Sequence, residues 1–207
     1  MSTPRPRRAS ILSLALAGAT ISSCSPLILS SAPASIEIRS NQASLTPDWL
    51  TAVYTSPDQN TADVYLSDLP IDLLTAEDPA ALDAHAGNIV HLHYFLTPKA
   101  GRTPIDANAA NVTIQHLVLV PNPQGGLGFA GLYGGGGFLL PTDEPGSRTF
   151  SGRIREGSHR LLRAGPGFID RLGHAVIEGA IAARKDDGAC AAIARNLSLL
   201  KRERLDQ

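Results

Sequence analysis

Apolar residues fall in short runs, most of them broken by Gly, Pro, Asn or Asp. That pattern predicts strands rather than long helices. Residues 35–39 (SIEIR) alternate apolar and polar. Residues 49–55 (WLTAVYT) and 62–69 (ADVYLSDL) are β-like, separated by the turn-rich SPDQN. The strongest strand pair is 88–96 (NIVHLHYFL) with 112–120 (VTIQHLVLV), joined by a long polar connection containing Pro98, Gly101, Pro104 and Asn108. Residues 126–133 and 138–140 flank four consecutive glycines, Gly134 to Gly137. These are expected to form a turn or mobile tip, because glycine weakens a strand interior. Residues 147–156 and 159–164 read as a hairpin whose two-residue turn is Gly157-Ser158. The β-branched start of 175–184 (AVIEGAIAAR) predicts one more strand.

Two segments carry helical signals. Asp78 is placed to cap a short helix with Pro79 in its first turn, running to about Ala86 and stopped by Gly87. Near the C-terminus, Asp186 or Asp187 caps a helix over about 188–205. Its apolar stripe is Cys190, Ile193, Ala194, Leu197 and Leu200, at spacings of three and four. No internal repeat is visible. With 19 Gly, 15 Pro and 43% hydrophobic residues, the chain suits one folded domain, residues 35–207, with its own core. The expected class is mainly β: an antiparallel sandwich or barrel with a short internal helix and a C-terminal helix.

The N-terminus has a separate organisation. Arg5, Arg7 and Arg8 precede an apolar stretch, residues 11–21, which is too short for a permanent bilayer span. Ile21-Ser22-Ser23-Cys24 follows. This segment resembles the signal peptide of bacterial lipoproteins, in which a small and apolar tripeptide precedes an acylated Cys. The resemblance covers only these residues. It implies a signal peptide at 1–23, a lipid (palmitate) on Cys24, and a tether over 24–34. The mature protein would be held in the cell envelope without a transmembrane helix. Ser25 implies passage to the outer membrane in an organism with two membranes. An ordinary secretory signal cut near Ala32 or Ala34 is the other reading of the same residues. With Cys24 acylated, Cys190 has no disulfide partner and is expected to be a buried structural thiol.

Charge is unevenly placed. Residues 24–146 hold three basic side chains (Arg39, Lys99, Arg102) against twelve acidic ones. Residues 147–207 hold twelve basic against seven acidic. Either the halves fold together and offset each other, or the basic half meets an anionic partner or an envelope protein. Arg153 and Arg155 should share one face of a strand, with Ile154 on the other. Nucleic acid is not an expected partner for an exported, net-acidic chain without an aromatic-lined basic groove.

Candidate chemistry is sparse. Gly126-Leu127-Gly128-Phe129-Ala130-Gly131 is a literal GxGxxG. A dinucleotide site needs a helix after it, and none is predicted there. His91 and His93 are two apart on a strand and could converge with His116 from its neighbour on a metal. This His-x-His resembles the metal motif of cupins. However, Thr97 and Pro98 stand where that family has a Glu. No Gly-x-Ser-x-Gly elbow or His-Glu-x-x-His occurs, and Ser158 and His159 should point to opposite faces. The sequence therefore assigns no catalytic residue, cofactor or metal. The leading expectation is a non-enzymatic envelope lipoprotein that binds or scaffolds. Alternatives are a small-ligand carrier and a metal-dependent enzyme using His91, His93 and His116. An apolar cavity would favour the carrier, and converging imidazoles the enzyme.

Overall fold

A computed structural model describes residues 33–96 and 110–206. Cys24, the proposed leader and the connection around Gly101 lie outside them. The strands are β1 (Ala34–Ser40), β2 (Ser44–Leu45), β3 (Thr51–Thr55), β4 (Ala62–Ser67), β5 (Gly87–Tyr94), β6 (Val112–Val120), β7 (Phe129–Pro141), β8 (Thr149–Ala164) and β9 (Ala175–Lys185). They form one sheet in the order β2-β1-β9-β3-β4-β5-β6-β7-β8. The sheet closes on itself because β9 also pairs antiparallel with β8, from Thr149↔Arg184 to His159↔Ala175. Along its other edge β9 meets β1, then β3 through a short parallel step at Val53↔Arg184. Every other pairing is antiparallel. The expected mainly β class is the one observed, and closure into a ring removes most free edges.

Strand alternation divides the apolar residues between two cores. Inside the ring lie Ile36, Tyr54, Val64, Val90, Leu92, Ile114, Tyr133, Phe150 and Ile177. On the outer face, Val53, Tyr65, Ile89, Leu117 and Leu132 pack with helix α2 (Asp187–Leu205) and the short helix α1 (Ile71–Leu74). Asp186 caps α2 by accepting from Ala189 N–H at 3.0 Å. Cys190, Ile193, Leu197 and Leu200 face the sheet as the periodicity predicts, the burial of each Ile or Leu contributing roughly 1.5–3 kcal/mol before entropy. Asn196 joins them as a polar tie, its amide donating to Leu74 O at 2.9 Å and Ala76 O at 2.8 Å. The segment after Asp78 is a 3-10 helix, Pro79–Ala84, which ends short of the expected Ala86, and Gly87 is the first residue of β5 instead of the helix stop.

Two expectations for the β7–β8 region are corrected. Gly134 to Gly137 lie inside β7, and Gly157-Ser158 lies inside β8, which is one strand instead of a hairpin. The reason is a bulge. Between Ile154↔Gly179 and Gly157↔Ile177, β8 has one residue more than β9, and Glu156 takes a positive φ of 51°. The bulge pushes β8 against β7. A Cβ on Gly135 would sit 1.8 Å from Ser158 O, and one on Gly137 would sit 2.8 Å from Gly157 Cα. The glycines thus let two backbones approach, which no side chain would permit.

Candidate functional site

The same bulge builds the interior of the barrel. Before it, even-numbered residues of β8 (Phe150, Gly152, Ile154) point inward; after it, Gly157 and His159 do. His159 is therefore 2% exposed, while its neighbour Ser158 faces out and bonds the Gly136 backbone. On β6, His116 shares the inward face of Val112 and Ile114 and is fully buried. Its cross-strand partner is Tyr133 on β7. Tyr133 stacks on His159 with ring centroids 4.9 Å apart and planes 7° apart.

These groups form one directed chain of hydrogen bonds. Asn88, at the start of β5, donates from Nδ2 to Asp68 Oδ2 at 2.6 Å, so its Oδ1 must be the atom facing His116. That oxygen accepts from His116 Nε2 at 2.9 Å, which places the imidazole proton there. Neutral His116 then accepts at Nδ1 from His159 Nε2, 3.0 Å away. His159 Nδ1 is left with a buried lone pair and no partner among the described residues. Burial holds His116 well below the usual histidine range, helped by the adjacent His159. Burial also pushes His159 down to about 4, against the opposing pull of Asp170. Both rings are neutral at pH 7.

A cavity of about 670 Å³ opens at this end of the barrel, where β6 ends and β5 and β7 begin. Its walls are apolar: Leu45, Val118, Phe129, Phe168, Ile169 and Leu172. Asn88 and Tyr133 are the polar side chains on its inner side, and Arg171 is the sole charged residue among the described residues that line it. One wall is the β8–β9 connection, residues 165–174. It folds over the barrel end because Gly131 leaves room for the Phe168 ring; a Cβ there would lie 2.2 Å from Phe168 Cε1. Phe168 then meets Tyr133 edge-on, with centroids 6.2 Å apart. The last glycine of the GxGxxG motif thus seats an aromatic ring. The motif leads into β7, with no helix after it.

The three candidate metal histidines are not brought together. His116 points inward, whereas His91 and His93 share the outer face of β5. There both rings converge on a carboxylate that the sequence reading did not include. Asp63 Oδ1 lies 2.8 Å from His91 Nε2 and 2.9 Å from His93 Nδ1, and those hydrogen bonds hold its carboxyl below the usual range. Tyr65 stacks on His91 at 4.6 Å. Among the described residues, no three acidic, His or Cys side chains are arranged to hold a metal ion. Cys190 is buried, and burial raises its thiol to about 12.

Sequence reasoning missed Asn88, Tyr133, His159 and the cavity. The parity of 112–120 already groups His116 with Val112, Ile114 and Val118, which is an interior set. Placing His159 beside it requires knowing the bulge. Arg153 and Arg155 are exposed on one face of β8, with Ile154 buried behind them, as expected. Comparisons with known protein families, curated proteins and solved structures found no match to this chain.

Proposed function

We propose that the protein is a binding module that holds a small apolar ligand in the mouth of its barrel. The cavity carries this reading. Its volume lies within the range of ligand pockets, its lining is apolar with a few placed polar groups, and barrel mouths are a preferred location for such sites. The metal-enzyme alternative loses support because its imidazoles face opposite sides of the sheet. In a titration with an environment-sensitive apolar dye, we expect saturable binding to one site. Val118→Trp, which fills the cavity, should weaken binding at least tenfold with the melting temperature held. Dye binding unaffected by Val118→Trp would remove the cavity from the account.

We further propose that the barrel is tethered to the cell envelope through lipid on Cys24. The basic start, the apolar run and the Cys at its end support this. A tether of two or more acyl chains suffices for stable anchoring. Among the described residues, no helix is long and apolar enough to cross a membrane. Intact-mass analysis of the mature protein should show acyl chains on an N-terminal Cys24. Cleavage beyond Cys24 would contradict the tether.

A further inference from the structure

We propose that the ligand is an anionic amphiphile, with its apolar chain in the cavity and its acidic head on Arg171; this rests on the cavity being a ligand site. The polar side chains on the inner side are already engaged. Asn88 is held at both ends of its amide by Asp68 and His116, and Tyr133 Oη donates to Asp170 Oδ1 at 2.7 Å. The inner cavity therefore favours an apolar chain over a polar group in need of partners. The edge is different. Arg171 is exposed, lines the cavity, and has no ion-pair partner among the described residues. Its sequence neighbour Asp170 is turned back into the loop. Besides Tyr133, Asp170 Oδ1 accepts from Leu172 N at 3.0 Å and Gly173 N at 2.9 Å. The apolar rim residues Ile169, 69% exposed, and Val120, 40% exposed, flank Arg171, and the other exposed polar side chain of the lining, Ser44, already donates to Glu37 Oε1 at 2.9 Å. A guanidinium fork matches a carboxylate or a phosphate through paired, charge-assisted hydrogen bonds.

The test is calorimetric titration of the full chain with dodecanoate and dodecyl phosphate, each below its micelle concentration, and with dodecanol below its solubility limit. The acid and the phosphate should bind about tenfold more tightly than the alcohol. The one that binds more tightly identifies the head group. Arg171→Gln should abolish this advantage and leave dodecanol affinity unchanged, while Arg171→Lys should retain part of it. Raising the salt concentration should shrink the advantage, because the contact is exposed. Equal affinity for acid and alcohol, or an advantage that survives Arg171→Gln, would overturn the assignment of Arg171 and leave the apolar site standing. If dodecanol also fails to bind, the ligand site itself is refuted and this inference falls with it.

Discussion

Neutral imidazoles in the barrel interior tie the fold to pH. His159 has a folded pKa of about 4, against about 6.5 in an unfolded chain. Between those values the unfolded state binds more protons. Stability is therefore complete above about pH 6.5 and falls as pH drops toward 4, by up to roughly 3 kcal/mol. His116 is shifted in the same direction and adds to the loss. Asp63 acts in a lower window. Its carboxyl is held below 3.8, so its contribution is present above that value and lost only beneath it. His159→Phe keeps a ring against Tyr133 but leaves His116 Nδ1 without a donor. At pH 7.5 it should cost about 1–2 kcal/mol. Its urea midpoint should then decline less than the parent's between pH 7 and 4.5. Parallel declines in the two proteins would show that His159 does not titrate as described.

The β7–β8 pair shows what an element can hide in sequence. Strands β1, β5, β6 and β9 were legible because their β-branched and aromatic runs have clear ends, and α2 because Asp186 and the Cys190–Ile193–Leu197–Leu200 spacing agree. The glycines of β7 were not, because a local reading counts their missing side chains against a strand. Their value is the space they leave for Ser158 and Gly157 across the ladder, a relation between residues about twenty apart. Gly135→Ala should therefore destabilise by more than about 2 kcal/mol, since its Cβ would strike the Ser158 carbonyl. Gly125→Ala is the control. Its φ of 82° is unfavourable for Ala, yet nothing lies within 4 Å, so a loss of about 1 kcal/mol is expected. Similar urea midpoints for the two variants would contradict close strand approach as the reason for the glycine run.

For the molecule as a whole, the acidic first half and the basic second half meet within one barrel. Arg204 of the basic half pairs with Asp83 of the acidic half, whereas Arg39–Glu178 runs the other way, joining a base of the acidic half to an acid of the basic half. The cavity was not legible, because it needs three strand ends, the 165–174 connection and the β2 edge in one place. Those pieces are far apart in the chain, and none carries a motif. Closure of β9 onto β8 sets the ring, and the Gly131–Phe168 contact shapes the mouth. The central claim is that this mouth is where the protein binds. The most direct measurement is an amide NMR titration of the 15N-labelled protein with dodecanoate. Shifts should cluster at Val118–Val120, Phe129–Tyr133 and Gly167–Leu172 and saturate together. Shifts confined to the outer face around Asp63, His91 and α2, or none at saturating ligand, would contradict it.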